Sequence, residues 1–403
     1  MKISDHVEKY KNDMVKTLSE LIAIKAIAPE YGGNGEYEKA EYLMNYLNNF
    51  DYVKRFDARD ERVSEGYRPN IVAKVYGALK RTIWIVSHLD VVPEGDAKLW
   101  SRPPFKPAIE NGKVFGRGSE DNGQSIVSSL YAAKTIIDLD LTPKYTLGLV
   151  FVSDEEAGSN YGVKYLINQN VFKKEDMIIV PDVGSPKGDL IEIAEKSILW
   201  IKFVVHGNQS HASLPKGINA ARRAMKFILD LDEKLHSKFN ARDDIFIPPN
   251  STFEPTKREK NVDNINTIPG IDVSYLDCRI LPNYDPNEVI EFIENVKRFH
   301  EMKDGAKIEL EVIQNVNSPP TPETSEIVLK LKKTIETLRE LTVRYCGIGG
   351  NTCASFFRRE GFIDTAAWCT VDGLAHQPNE YCKINNMVED AKVFALLPFD
   401  PGY

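Results

Sequence analysis

At 403 residues the chain is long enough for two or three domains. With 42% hydrophobic and 27% charged residues it has the composition of a folded globular protein. Asp and Glu outnumber Lys and Arg by 59 to 51, a net charge of −8, which disfavours nucleic acid and anionic membrane as partners. No run approaches the roughly 18 apolar residues of a membrane span. The segment from Met1 to Ile22 lacks the apolar core of a secretory signal, and the five cysteines form no Cys-x-x-Cys pair, so reduced thiols in a cytoplasmic protein are expected.

Apolar residues at helical spacing predict helices over 14–24 and 38–47. Residues 70–76 and 82–87 are expected to be a pair of strands joined by a turn at 77–80, the second ending in Ser87-His88-Leu89-Asp90. A helix over 121–137 follows the motif Gly-Arg-Gly-Ser-Glu-Asp121. A strand over 145–152 runs into Asp-Glu155-Glu156-Ala-Gly, a helix covers 161–167, and a strand over 177–180 leads to Val-Pro-Asp182-Val-Gly. The alternation of strand and helix predicts a sheet covered by helices.

From about Lys196 the rhythm changes. Strand 197–206, helix 218–235, strands 264–268 and 273–280 around Pro269-Gly270, helix 287–300 and strand 306–314 give the β-α-β-β-α-β order of a ferredoxin-like domain. Residues 237–260 are polar and carry prolines, as a mobile loop or hairpin would. After Pro319-Pro320-Thr321-Pro322, helix 324–338, strand 342–346, helix 352–360, strand 365–370 and helix 386–396 return to the first rhythm, with Ala-His376-Gln-Pro-Asn-Glu-Tyr between the last two. If His376 joins the same site as Asp182, the first domain is discontinuous. The boundaries are then 1–195 and 318–403 for an α/β catalytic domain built on a mixed sheet, and 196–317 for an inserted α+β, ferredoxin-like lid and dimerisation domain.

Four of the polar motifs end strand-like apolar runs, and open α/β sheets place their sites at the carboxyl ends of parallel strands. Together the motifs offer two imidazoles, three carboxylates and a further Glu, the ligand supply for two divalent ions of the zinc type plus a base. Each motif alone has a plain structural explanation; the ensemble points to metal-assisted hydrolysis. Cys369 reads as a small core residue, and Cys353 has no activating base in its local motif.

His-x-Asp, Gly-Arg-Gly-x-x-Asp, Asp-Glu-Glu-x-Gly, a later Asp and Ala-His-x-Pro-Asn-Glu, in that order, resemble the M20 metallopeptidases, which include desuccinylases, deacetylases, carboxypeptidases and dipeptidases. The resemblance implies that His88 and Asp182 complete the shell of one metal, that Glu156 and His376 complete that of the other, and that Asp121 bridges the two. It also implies a cis bond after Asp121. Asp90 would orient the His88 imidazole, or else be a turn residue. Glu155 would be the general base, unless it only tunes the ligands.

In the inserted domain, Gly207-Asn-Gln-Ser-His211-Ala-Ser-Leu-Pro215 matches a family stretch whose His donates to the substrate carbonyl, often across a dimer interface. This implies His211 as an oxyanion stabiliser, or a loop cap. Asn266, Arg279, Gly350 and Asn351 fall at positions near substrate in relatives. Arg279 would bind a carboxylate or pair with Asp277; Asn351 would hold substrate or cap a helix. Many relatives continue the Asp motif as Asp-Met-Lys-Gly, where this chain has Asp121-Asn122-Gly123-Gln124.

The resemblance implies two divalent ions, zinc with cobalt or manganese as alternatives, and a homodimer. It implies hydrolysis of the amide of an N-acyl amino acid, with a dipeptide or peptide as the alternative substrate. A catalytically silent regulatory or assembly protein on the same fold is the alternative of another class.

Overall fold

The computed structural model describes residues 2–400. It forms two compact units. One comprises the chain up to Ile193, Thr321–Cys346 and the chain from Thr352 onward; the other comprises Ala194–Pro320 and Gly347–Asn351.

The first unit is built on an eight-stranded mixed sheet, in the order Tyr52–Arg59, Tyr67–Val75, Tyr145–Val152, Leu79–His88, Met177–Ser185, Thr365–Thr370, Leu190–Glu195 and Arg344–Ile348. Its four central strands run parallel. Helices cover both faces, and for this reason the strands read as unbroken apolar runs rather than alternating ones. Every residue of Tyr145–Val152 is buried. Trp84, Val86, Val150, Val152, Ile178 and Val180 face a core closed by Val163, Leu166 and Phe357. Gly148 sits mid-strand because the Trp84 ring occupies the space a side chain would need; a Cβ there would come within 2.2 Å of it. The Trp84 indole N–H donates to Asp176 at 2.9 Å, so the buried ring keeps its hydrogen bond.

Two expectations for this unit are corrected. Tyr67–Val75 and Leu79–His88 do not pair, because Tyr145–Val152 lies between them, antiparallel to the first and parallel to the second. A short connection suggested a hairpin, but pairing the second strand with a parallel neighbour buries both of its faces. The helix expected from residue 121 starts at Gln124, and a π-turn over Ser119–Gly123 precedes it.

The second unit has a four-stranded antiparallel sheet in the order Thr252–Arg258, Ile271–Ile280, Ser197–His206, Ile308–Val316, with helices Ala220–Lys238 and Pro286–Asp304. This is the ferredoxin-like arrangement. Leu199, Ile201, Phe203, Phe227, Leu231 and Ile293 form its core. The second strand is not 264–268, as the sequence suggested, but Thr252–Arg258, from the segment read as loop or hairpin. Thr267–Ile268 instead pairs with Ser210–His211. Thr252–Arg258 carries Pro255 and exposes most of its side chains, both tolerated only at a sheet edge.

Candidate metal centre

Parallel strands deliver the site residues to one edge of the sheet. His88 closes Leu79–His88, Glu155 and Glu156 follow Tyr145–Val152, Asp182 lies in Met177–Ser185, and His376 follows Thr365–Thr370. Asp121 comes from the π-turn beneath them. Its backbone is non-helical, at φ −115° and ψ 94°, and the Asp121–Asn122 bond is cis, as expected. Gly118, at φ +79°, makes the turn possible; a Cβ there would meet Val91 at 2.6 Å.

His88 Nε2 lies 2.8 Å from Asp121 Oδ1 and 3.8 Å from Asp182 Oδ1. His376 Nε2 lies 3.4 Å from Asp121 Oδ2 and 3.0 Å from Glu156 Oε2. The sets His88–Asp121–Asp182 and Asp121–Glu156–His376 each keep their ligand atoms within 4.8 Å of one another, and Asp121 is common to both with a different oxygen. A third grouping of the same kind joins His88 with Glu155 and Glu156. One histidine and two carboxylates per set, with a carboxylate shared, is a donor chemistry that fits two divalent ions of the zinc type.

Asp90 is fully buried. Its Oδ1 and Oδ2 accept the backbone N–H groups of Glu155 and Glu156, each at 3.0 Å, and its own carbonyl oxygen lies 2.9 Å from His88 Nδ1. A carbonyl can only accept, so Nδ1 carries the proton and, in the neutral ring, Nε2 presents its lone pair toward Asp121 and Asp182. Tyr31 donates its hydroxyl to the Glu156 carbonyl at 3.0 Å.

Burial, and after it the charges of Asp182, Glu156 and Asp90, push the Glu155 carboxyl well above the usual range. Glu156 is pushed up to about 7, chiefly by burial and Asp121. Hydrogen bonds to Asp121 and Glu156 raise His376 to about 10. Burial alone would raise Asp121, but His376 and His88 hold it far below its ordinary value. A carboxyl lifted by burial beside a ligand cluster is what a proton carrier requires. Burial also pushes the Cys353 thiol well up, which disfavours its thiolate and any nucleophilic role.

Other buried charges hold the centre together, and the motif reading did not single them out. Arg68, fully buried, bonds Asp154 at 2.7 Å and Glu36 at 3.0 Å, directly before the Glu155–Glu156 pair. Lys39 donates to the Leu89 carbonyl at 2.7 Å, and burial lowers it to about 8. Asn122 donates to the Pro181 carbonyl at 2.9 Å and to Asp182 Oδ1 at 3.1 Å, tying the Asp121 loop to the Asp182 loop.

The remaining expected residues belong to the second unit. His211 is exposed, and Ser213 lies against its Nδ1, with N at 3.2 Å and Oγ at 2.7 Å. Asn266 is exposed and accepts from Ala212 through its main chain at 2.9 Å. Arg279 is gripped by Asp277, with contacts of 2.8 and 3.1 Å, and donates to the Gly349 carbonyl at 3.1 Å. Gly350 is exposed with open space around its Cα. Asn351 donates to Glu195 and to the Lys196 carbonyl, each at 3.1 Å; the cap of the helix Cys353–Arg359 is Thr352.

The pattern of peptidase family M20/M25/M40 matches residues 84–399. An uncharacterized metallohydrolase of Methanocaldococcus jannaschii is 44% identical over 402 residues, covering 95% of this chain and 98% of its own. Succinyl-diaminopimelate desuccinylase of Buchnera aphidicola is 25% identical over 383 residues, 93% of this chain and 95% of its own. The M20 family metallo-carboxypeptidase Sso-CP2 of Sulfolobus solfataricus has the same fold, with a TM-score of 0.75 at 21% identity over 96% of this chain and 99% of that one. With these matches and a two-cluster donor set at the strand ends, the chain belongs to peptidase family M20/M25/M40 and is a metal-dependent hydrolase.

Proposed function

We propose that the protein cleaves the amide bond of an N-acyl amino acid, as a desuccinylase or deacetylase does, with two divalent ions held by His88, Asp121, Asp182, Glu156 and His376. Zinc is the ion of choice, with cobalt or manganese as alternatives. The observation that carries the reading is the place of Glu155. It is a half-buried, raised carboxyl next to two ligand sets that share Asp121. When bound, the ions polarise the scissile carbonyl and acidify the attacking water. Glu155 takes the proton from that water and passes it to the leaving amine. Asp90 holds the turn that presents Glu155 and Glu156.

The substrate class rests on the resemblance to the desuccinylase. A carboxypeptidase or dipeptidase activity is the second reading, favoured by the shared fold with the metallo-carboxypeptidase. Hydrolysis of N-succinyl and N-acetyl amino acids against dipeptides, with Zn²⁺, Co²⁺ or Mn²⁺ added, decides between them. Turnover of dipeptides alone overturns the first reading.

The inserted unit is proposed to act as lid and dimerisation domain. His211 donates to the substrate carbonyl, and Asn266, Arg279, Gly350 and Asn351 contact the rest of the substrate. A groove of about 410 Å³ between helix Ala220–Lys238 and edge strand Thr252–Arg258 is lined by Met225 and Leu229, both exposed, and supports a self-pairing surface. No helix among the described residues is long and apolar enough to cross a membrane. The five cysteines are free, which supports a cytoplasmic setting.

A further inference from the structure

Two glutamates outside the ligand set tie together the loops that carry Asp121 and His376. The strand Lys113–Phe115, just before the Asp121 loop, pairs antiparallel with Tyr381–Lys383, just after the His376 loop. The two loops therefore leave this ladder side by side. Glu380, fully buried at its root, reaches into the Asp121 loop. Its Oε1 accepts the N–H groups of Glu120 at 2.9 Å and Asp121 at 3.1 Å. Its Oε2 accepts Gly118 N–H at 3.0 Å and the Arg117 guanidinium at 2.7 Å. Glu120 reaches the other way, and its two oxygens accept the N–H groups of Asp372 and Leu374 in the His376 loop. Arg117 closes the circuit on the His376 carbonyl at 3.3 Å.

Backbone conformation shows why such bracing is needed. His376 is held at φ +64°, a region that non-glycine residues rarely adopt and that persists only where surroundings enforce it. The Asp121 turn is likewise non-helical within a helical segment. A carboxylate has two acceptor oxygens and no donor, so each glutamate can satisfy two or more main-chain N–H groups at once. An amide of the same shape cannot, because it turns an N–H against one of them.

We propose that Glu120 and Glu380 are a reciprocal pair of positioning residues. Glu120 sets the loop that aims His376, and Glu380 sets the turn that aims Asp121. This rests on the reading of Asp121 and His376 as metal ligands. It predicts unequal effects on the two ions. In Glu120→Gln the ion of the Asp121–Glu156–His376 set weakens by about 10–100-fold, the range for residues that orient ligands, while the ion at His88–Asp121–Asp182 is held as before. In Glu380→Gln both ions weaken, since Asp121 serves both.

The test is stepwise titration of metal-free wild type and variants with Co²⁺, following the visible absorption of each site, with zinc affinity by chelator competition. Circular dichroism and melting of the metal-free forms report folding. One ion lost selectively in Glu120→Gln, with the other spectrum unchanged, supports the brace. Equal affinities in wild type and both variants overturn it. So does parallel loss of both ions together with a lowered metal-free melting temperature in both variants, which marks a general structural role. If one variant fails to fold even with saturating zinc, a structural role is shown for that glutamate, and the other variant decides for its own. A wild type that takes up fewer than two ions refutes the ligand reading itself, and the brace with it.

Discussion

Asp90 Oδ2 accepts the backbone N–H of Glu156 at 3.0 Å, so the residue behind the first histidine also fixes the turn that carries the acid pair. His88 orientation and Glu155–Glu156 placement are therefore coupled through one buried residue, its main-chain carbonyl on His88 and its carboxylate on the acid pair. Asp90→Asn should weaken metal binding by about 10–100-fold, because one amide hydrogen would face a main-chain N–H. Zinc competition against a chromophoric chelator measures it; unchanged affinity for both ions would show that the coupling does not matter.

Exhaustive chelation should abolish hydrolysis, and Zn²⁺ or Co²⁺ should restore it. Uptake of the ions should also release protons at pH 7. In the metal-free protein His376 is raised to about 10 and Glu156 to about 7, so the empty site holds protons that ligands must lose. Raising the pH from 6 to 8 should therefore tighten metal binding. Metal-free stability moves the other way and falls as the pH rises. The folded state holds more protons than the unfolded chain, whose His titrates near 6.5, so the contribution of His376 is complete below about 6.5 and is lost as pH rises through about 10. Proton uptake in a weakly buffered titration would contradict this.

Arg68→Met should destabilise the fold by about 3–5 kcal/mol, the usual cost of leaving buried partners uncompensated. Arg68 neutralises Glu36 and Asp154, both buried, and Asp154 holds φ +67° one residue before the acid pair. Urea unfolding of metal-free protein reads the effect, and a loss below about 1 kcal/mol would mean that the carboxyls neutralise themselves by protonation instead.

Mixing Glu155→Gln subunits with His211→Ala subunits tests whether the proposed dimer shares its sites. Both homodimers should be inactive, and each mixed dimer should regain one working site. No recovery after proven subunit exchange would place His211 in the service of its own chain or of no site.

Runs such as Tyr145–Val152 were legible as strands because burial on both faces leaves them almost free of polar residues, and four of the site motifs were legible because each closes such a run, whereas Asp121 comes from a turn. Strand order was not, since the insertion of Tyr145–Val152 between Tyr67–Val75 and Leu79–His88 is a long-range choice that local pattern does not record. Thr252–Arg258 escaped notice because an edge strand with charged, exposed side chains lacks apolar alternation. Glu120, Glu380 and Arg117 stood inside the quoted motifs without an assigned role, since their partners are largely main-chain groups that leave no mark in a sequence. Nothing in the local pattern singles out Glu36, Lys39 and Arg68. Only the fold reveals that they are buried, with Arg68 paired to Glu36 and Lys39 bonded to the Leu89 carbonyl.

Turnover and metal content of Glu155→Gln test the central claim most directly. The amide keeps the shape and cannot take a proton. The account predicts two bound ions and a rate lower by about 10²–10⁴-fold, the usual contribution of a general base. A near wild-type rate with two ions bound would place the base elsewhere, and loss of an ion would make Glu155 a ligand rather than the base.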